Sequence, residues 1–374
     1  MRHPKFRVLL LTAFVLSVAL SVSAQSGRLP KQTPTPQPKD DDVERVETEE
    51  VKLNVVAFDE NGDFFPGVKE GDLVITENDI LHQPSSVRRI PANVLIILDT
   101  GGEMRSVKNL DQTKRTAKAV VAALKADDSI AIMQYGDSAE IVSELTTDRE
   151  VTAHAIAKAN FGRLSAFAEA LDLAVEYMQR NPLENKHIVL ITDGTDSSRD
   201  PTAKRGAIQH LLTTEISVHV LSYTRMEISD IAPRTKGISN TPPKPALPDE
   251  VIATLPNGVR DQASAPKAKT INLDRTLLQK LKTRKADLET SEKQLETLAE
   301  NTNGTSVIPE SLDEMIDKTA FIAKLIDASY AVTYIPKVPI ASGNKIAERK
   351  IEVTSKRPGL QVIARRRLFI DQRK

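Results

Sequence analysis

Two continuous apolar runs constrain the fold of this chain more than any other feature of its sequence. Val94–Leu98 and His187–Ile191 are apolar at almost every position, which is typical of parallel strands buried on both faces. Apolar residues also recur at helical spacing, as around Val120 and Leu171. Strands that alternate with helices of about 10–15 residues indicate right-handed crossovers. The sequence therefore predicts an α/β fold with a three-layer, doubly wound, mostly parallel sheet.

The individual elements follow from the same two patterns. The predicted strands are Val94–Leu98, Ile130–Met133, Glu140–Val142, His187–Ile191, Ile216–Leu221 and Thr305–Ile308. The predicted helices are Asp111–Lys125, Ser165–Gln179, Ala203–Leu212, Leu277–Ala299 and Leu312–Ile326. These elements define a domain over residues 91–225 that residues 272–328 complete.

Both ends of the chain carry strand patterns outside this domain. Near the N-terminus, Val51, Leu53 and Val55 alternate with polar neighbours. Near the C-terminus, β patterns cover Tyr330–Ile335, Lys350–Thr354 and Leu360–Leu368. We expect both sets to pair, giving a small discontinuous β domain from residues 49–90 and 329–374. The tract Arg365–Arg367 is expected to be a solvated strand edge.

The first 24 residues have the pattern of an export signal. Arg2, Lys5 and Arg7 precede a nearly continuous apolar run, Val8–Val22, and small residues follow at Ser23 and Ala24. The run has 15 residues, fewer than the roughly 20 that span a bilayer. A cleaved signal peptide is therefore predicted, with an uncleaved anchor as the alternative. The protein is expected to be a bacterial exported one (periplasmic, cell-surface or secreted), without a membrane span after signal removal.

Two further segments are predicted to lie outside the folded domains. Residues 25–48 are rich in Pro and charged residues, a composition that buries too little apolar surface to offset the entropy of ordering, so a disordered linker is expected. Residues 226–271 contain many Pro, Lys and Ser residues and little periodicity, and they are interpreted as a polar insertion.

Composition excludes several classes of function. The 374 residues include 51 Lys+Arg and 51 Asp+Glu, so no concentrated basic charge indicates a nucleic-acid partner. The chain has no Cys, which excludes thiol nucleophiles, thiolate metal sites and disulfides. With no Trp and 4% aromatic residues, stacking platforms for single-stranded nucleic acid are not expected either.

Polar residues follow two of the apolar strands where a doubly wound fold places its sites. Asp99 follows Leu98, and Asp193 follows the strand that ends near Ile191; each begins a loop that contains Gly. Ser165 begins the helix that lies between them in sequence. Two carboxylates and a hydroxyl suit a hard cation that keeps some of its waters. The alternative is that both aspartates only cap the loops and helices that follow, and composition leaves the two interpretations open.

The order of these elements resembles a von Willebrand factor type A domain. The resemblance rests on VLIILDTGGEM, GRLSAFAEAL and HIVLITDGTDSS in the places the family requires. The flanking VKLNVVAFDENGDFFPGVKEGDLVITEN and SYAVTYIPK…RKIEVTSKRPGLQVIARR are similar to those of exported, acidobacteria-type members. It covers roughly residues 51–370 without the 226–271 insertion, and it implies the Rossmann-like layered fold already expected.

The resemblance also implies a metal-ion-dependent adhesion site that holds Mg²⁺, Mn²⁺ or Ca²⁺. Asp99 matches the first aspartate of the family motif, Asp193 the last, and Ser165 the threonine. Ser165 would then hold the ion directly, and the two aspartates mostly through water. Gly101 and Glu103 depart from the pattern, because they stand where the family has two serines. Glu103 is a further candidate ligand.

The two departures bear on what such a site does. Neutral hydroxyl ligands leave a cation electron-poor, so that it attracts an acidic residue of a protein partner. A carboxylate from Glu103 would supply that group internally and weaken the attraction. The predicted function is protein–protein interaction or adhesion at the cell envelope, without catalysis. The alternative is a metal-free interaction scaffold that binds through another surface.

An enzyme is the least favoured interpretation. Leu98-Asp99-Thr100-Gly101 fits the apolar-Asp-Thr-Gly signature of aspartic proteases, whose two carboxylates share a proton. That chemistry needs a second Asp-Thr/Ser-Gly, from the chain or from a second subunit, in an all-β scaffold. Asp193-Gly194-Thr195 has the wrong order, and helices follow both aspartates.

Overall fold

The central sheet and its flanking layers are defined by the computed structural model, which describes residues 50–102, 110–180, 183–198, 200–236, 238–239, 270–271, 274–338 and 346–371. The predicted signal peptide, the predicted linker, most of the predicted insertion and Glu103 lie outside the described residues.

The secondary-structure elements of the described residues are numbered in chain order. The strands are β1 (Val51–Phe58), β2 (Leu73–Glu77), β3 (Ile80–His82), β4 (Ser86–Arg88), β5 (Asn93–Asp99), β6 (Ser129–Tyr135), β7 (Ala139–Thr146), β8 (Lys186–Thr192), β9 (Ser217–Ser222), β10 (Ile238–Ser239), β11 (Thr270–Ile271), β12 (Ser306–Val307), β13 (Ser329–Tyr334), β14 (Ile346–Ser355), β15 (Gln361–Ala364) and β16 (Arg367–Asp371). The α-helices are α1 (Leu110–Ala123), α2 (Arg149–Lys158), α3 (Phe167–Gln179), α4 (Pro201–Leu212), α5 (Thr224–Ile231), α6 (Arg275–Asn301) and α7 (Leu312–Asp327), and short 3₁₀ helices cover Glu70–Asp72 and Ala232–Thr235.

Six strands form the central sheet in the order β12-β9-β8-β5-β6-β7. All neighbours are parallel except β6 and β7, which are antiparallel at one edge. The chain leaves β5 toward β6 on one side and later returns to β8 on the other, so the winding direction reverses between β5 and β8. The predicted α/β class with a mostly parallel, doubly wound sheet is confirmed.

Helices cover both faces of this sheet, which explains the continuous apolar runs. In β5, Val94, Ile96 and Leu98 belong to the core under α1, α2 and α7. The alternate residues Leu95 and Ile97 belong to the opposite core under α3, α4 and α6. Successive strand residues point to opposite faces, so a strand that is buried on both faces has to be apolar throughout.

The two ends of the chain pair with each other in antiparallel sheets, as the sequence predicts. One sheet has the order β15-β1-β13-β4 and the other β16-β14-β2-β3, and their inner faces share one apolar core. The predicted strand Leu360–Leu368 is wrong as a single element, because the chain changes sheets between β15 and β16. Arg365 lies at that crossing and is buried, donating to the carbonyl oxygen of Thr214, so it is not part of a solvated edge.

Two of the described helices, α2 and α5, are absent from the sequence-based prediction. Helix α2 has only two buried apolar residues, Ala155 and Ile156, so it has no strong apolar stripe; its start is capped by Asp148, which accepts from the backbone of Glu150 and Val151. Helix α5 begins before the predicted insertion and extends into it as far as Ile231, which is buried. Its short length and few apolar positions hide it from a periodicity argument.

Helix α6 has 27 residues and packs differently along its length. Leu281 and Leu288, in its first half, form a small cluster with Ile231 of α5. Leu295 and Leu298, in its second half, join the core of the central sheet. Among the described residues, none of the helices combines the length and the apolar character that crossing a membrane requires.

Two buried histidines lie near the starts of β8 and β9. Nδ1 of His187 lies 3.1 Å from Nε2 of His219, and Nε2 of His187 lies 2.9 Å from Oδ1 of Asn185. Burial lowers the pKa of His219 to about 4, and burial together with the charge of His219 lowers the pKa of His187 well below its usual value. Both side chains are therefore neutral parts of the structure at neutral pH.

We expect the protein to lose stability as the pH falls from about 6.5 to about 4. The unfolded chain takes up protons on these histidines in this range and the folded chain does not, so the free energy of unfolding falls by about 3 kcal/mol for His219 alone. Urea denaturation at a series of pH values measures the slope. His219→Gln should flatten it, and His154→Gln, at an exposed position on α2, should not. Equal slopes in all three proteins would contradict this account.

Candidate functional site

The ends of β5 and β8 bring the predicted site residues to one edge of the central sheet. Asp99 is the last residue of β5, and Asp193 immediately follows β8. Ser165 lies two residues before α3, in a loop that packs on the same edge. Asp99 is 1% exposed and Asp193 is fully buried. This is the carboxyl edge of the sheet at its topological switch point, where open α/β sheets form their sites.

Asp99 accepts hydrogen bonds on both carboxylate oxygens. The backbone N–H of Gly101 donates to Oδ1 at 3.2 Å, and the hydroxyl of Thr192 donates to Oδ2 at 2.9 Å. The hydroxyl of Tyr135 lies 2.6 Å from that of Thr192. Burial, followed by the charges of Asp99 and Asp193, raises the pKa of Tyr135 well above its ordinary value, so the phenol stays protonated and donates along this chain of contacts.

Asp193 is held by its own loop and by a distant arginine. The backbone N–H and the hydroxyl of Thr195 both donate to Oδ1 of Asp193, at 2.9 and 2.6 Å. Nη2 of Arg284 donates to Oδ2 at 2.9 Å, and Nη1 of the same guanidinium donates to the hydroxyl oxygen of Thr195 at 2.8 Å. Arg284 belongs to α6, 91 residues further along the chain. Arg284 and Asp193 form an ion pair in which the carboxylate of Asp193 has no solvent exposure.

The charge on Arg284 is stabilised by several carboxylates. Burial disfavours the charged guanidinium, but Asp193, Glu227 and Asp99 outweigh burial, so the pKa of Arg284 is raised above its ordinary value. Its side chain is 15% exposed. Arg284 is therefore charged at every accessible pH, and it is a site residue that the sequence analysis did not identify.

Ser165 connects the two loops of the site through backbone contacts. Its hydroxyl donates to the carbonyl oxygen of Thr195 at 2.8 Å, and its N–H donates to the hydroxyl of Ser197 at 2.8 Å. The N–H of Ser197 returns a hydrogen bond to the carbonyl oxygen of Ser165, also at 2.8 Å. These contacts fix the loop before α3 against the loop after β8.

Three glycines allow the loops at this edge to pack backbone against backbone. A Cβ atom at Gly101 would lie 1.7 Å from the carbonyl oxygen of Leu164, and one at Gly162 would lie 2.6 Å from Cα of Gly136. Real Cβ atoms do not approach backbone atoms so closely. Gly101 stands where the family motif has a serine, so the place of that serine side chain is filled by the backbone of the neighbouring loop.

The loop before α3 presents apolar side chains to solvent beside the buried aspartates. Phe161 is 59% exposed and Leu164 is 44% exposed, with the exposed Arg163 between them. The backbone N–H groups of Arg163 and Leu164 both donate to Oδ1 of Asp137 at 2.8 Å, which holds the loop in this conformation. We call Phe161, Arg163 and Leu164 the rim surface.

The cation site predicted at Asp99, Ser165 and Asp193, with Glu103 as a further ligand, stays a prediction. Within the described part of the chain, no three His, Cys, Asp or Glu side chains converge to hold a metal ion. The guanidinium of Arg284 lies against Asp193 and would repel a divalent cation placed beside it. The positive charge of Arg284 therefore argues against a cation bound beside Asp193.

The structure thus defines an α/β domain with a polar site, built from loops, at the switch point of its sheet. Comparison with known families narrows the class of domain further. Residues 94–195, from β5 to just past Asp193, match the family model of the von Willebrand factor type A domain. The chain therefore contains a von Willebrand factor type A domain. Such domains are generally protein-interaction modules and not enzymes. A search among curated proteins gave no match.

Three of the solved structures with similar folds come from bacterial proteins. A von Willebrand factor type A protein from Catenulispora acidiphila has 12% identity and a TM-score of 0.41, covering 88% of this chain and 76% of its own. An aerotolerance-related membrane protein from Bacteroides fragilis has 16% identity and a TM-score of 0.38, covering 63% of this chain and 98% of its own. BatB from Bacteroides thetaiotaomicron has 16% identity and a TM-score of 0.36, with the same coverage. Similarity at this level says nothing about function.

Proposed function

We propose that this protein is exported and that its von Willebrand factor type A domain binds a protein partner at the cell envelope through the rim surface. The observation that carries the proposal is the exposure of Phe161 and Leu164 on a loop whose backbone is fixed. Exposed apolar side chains bury apolar area against a partner, and a backbone that is already fixed loses less entropy on binding. The export signal predicted in the first 24 residues supports the location.

The rim surface is also connected to the loop of Asp193 through hydrogen bonds of the next residue, Ser165. Ser165 follows Leu164 directly and contacts the loop of Asp193 through Thr195 and Ser197. The rim is thus part of the same packed unit as the site at the sheet edge. A partner that rests on Phe161 and Leu164 would contact a loop whose backbone is held in place, and protein interfaces concentrate their binding energy in a few residues.

The binding surface is tested by photo-crosslinking in the organism that makes the protein. A photoreactive phenylalanine analogue replaces Phe161, and the matched control replaces Phe321 of α7, which is 47% exposed. We expect a crosslinked partner from position 161 only, recovered from the periplasm, the cell surface or the medium. Phe161→Ser/Leu164→Ser should weaken capture of that partner at least tenfold while leaving the melting temperature within about 2 °C of wild type, because both side chains are exposed.

A second position distinguishes the rim from the alternative of binding through another surface. Leu81 of β3 is 62% exposed and belongs to the antiparallel sheets, away from the sheet edge that carries Asp99. A partner crosslinked from position 81 and not from position 161 would contradict the proposed rim interface. It would favour a scaffold that binds through its β domain.

A further inference from the structure

Arg284 carries a full positive charge to the carboxylate that the cation site would use. Its guanidinium makes two hydrogen bonds there, one to Asp193 at 2.9 Å and one to Thr195 at 2.8 Å. The contact is well shielded from solvent, since Asp193 is fully buried and Arg284 is 15% exposed. A guanidinium in such surroundings neutralises the carboxylate as a bound cation would.

The position of Arg284 is fixed by the packing of α6 and not by the ion pair alone. Leu281 and Leu288, three residues before and four residues after Arg284, are buried on the same helix face. The helix also packs on the loop after β8, because a Cβ atom at Gly194 would lie 2.7 Å from the hydroxyl of Ser291 and 2.8 Å from Cδ1 of Leu295. The guanidinium is thus inserted into the site by a helix that is anchored on both sides of it.

A divalent cation and this guanidinium compete for the same charge. Oδ1 of Asp193 already accepts two hydrogen bonds from Thr195, and Oδ2 accepts one from Arg284. Asp99 also accepts hydrogen bonds on both of its oxygens. A cation bound to Asp193, directly or through water, would lie close to the positive charge of the guanidinium. At Gly101 the neighbouring backbone fills the place of a hydroxyl ligand.

We infer that the guanidinium of Arg284 takes the place of the divalent cation in this site, so that the chain neutralises Asp193 from within and binds no metal ion there. An acidic residue on the partner is expected only as a ligand of the bound cation, and without that cation there is no reason to expect one. The arrangement also gives Arg284 a positioning role. Arg284 donates to the hydroxyl oxygen of Thr195, and the carbonyl oxygen of Thr195 accepts a hydrogen bond from the hydroxyl of Ser165, next to the rim surface. The inference concerns the site itself and holds whether or not the rim binds a partner.

Cation-dependent thermal shifts of the purified full chain test the inference. Melting temperatures are measured in EDTA and with about 10 mM MgCl₂, MnCl₂ or CaCl₂ for wild type, Arg284→Ala and a matched control, Lys285→Ala. Lys285 is the next residue of α6, and its partly exposed side chain is paired with Glu289. We expect no shift for wild type or Lys285→Ala. For Arg284→Ala we expect a rise of about 3 °C with at least one cation, because the uncovered carboxylate of Asp193 then accepts it. Adding Asp193→Asn to Arg284→Ala should abolish that rise.

Two results would overturn the inference. One is a saturable shift in wild type as large as that in Arg284→Ala, and the other is the absence of any cation-specific shift in Arg284→Ala. If Arg284→Ala does not fold, calorimetric titration of MnCl₂ into wild type and Asp193→Asn decides the question. Binding by wild type that is lost in Asp193→Asn refutes the inference, and absence of binding by wild type supports it.

Discussion

A Gly101→Ser variant is expected to lose about 3 kcal/mol of unfolding free energy and to gain no cation binding. Serine restores the residue that the family motif has at this place, yet its Cβ atom would lie 1.7 Å from the carbonyl oxygen of Leu164. The obstacle is backbone, which cannot rotate away as a flexible side chain does. The loops after β5 and before α3 would have to separate, which exposes the buried edge of the sheet. Urea denaturation measures the loss.

Gly206→Ser is the matched control for this prediction. Gly206 lies within α4, is exposed, and has no atom within 4 Å of a Cβ at its position. Serine in a helix is favoured over glycine by a few tenths of a kcal/mol, so the control should be as stable as wild type or slightly more so. Equal stabilities of Gly101→Ser and Gly206→Ser would show that the loops have room for a side chain, and the closed packing at Gly101 would then be wrong.

Arg284→Ala is expected to lose about 3 kcal/mol of unfolding free energy in the absence of cations. The loss arises from Asp193, which keeps its charge in a fully buried position after its counter-ion is removed. Lys285→Ala removes the partly exposed neighbouring side chain, which pairs with Glu289, and should change stability by no more than about 0.5 kcal/mol.

A double-mutant cycle separates the ion pair from the packing of the arginine stem. Asp193→Asn keeps an oxygen to accept from Thr195 and removes the charge, so Arg284→Ala should cost much less in that background. We expect a coupling energy of about 2 kcal/mol between the two positions. Additive losses would mean that Arg284 stabilises the fold through its aliphatic part alone.

The sheet and most helices could be predicted because their apolar patterns are strong. Strands buried on both faces, such as β5 and β8, appear as uninterrupted apolar runs, and the predicted ranges fall within the observed ones. Helices α2 and α5 were missed because each buries few apolar residues. Arg365 was misjudged since its buried guanidinium is satisfied by carbonyl groups distant in sequence, which a run of three arginines does not reveal.

The site could be predicted only where topology determines it. Parallel strands end at one edge of a sheet, so Asp99 and Asp193 had to lie near each other once the fold was known. Arg284 could not be found in that way, because its sequence context of mixed charges is typical of an exposed helix. The signal that was available is its spacing: Arg284 lies on the same helix face as Leu281 and Leu288, and a charged residue on a buried stripe needs a partner.

The central claim is that the carboxylate of Asp193 is neutralised by Arg284 in place of a metal ion. Diffraction from crystals of the protein grown with excess MnCl₂, recorded with anomalous signal from manganese, tests it most directly. The account predicts the guanidinium against Asp193 and no manganese peak among Asp99, Ser165 and Asp193. A manganese peak at that position, with Arg284 displaced toward solvent, would contradict it.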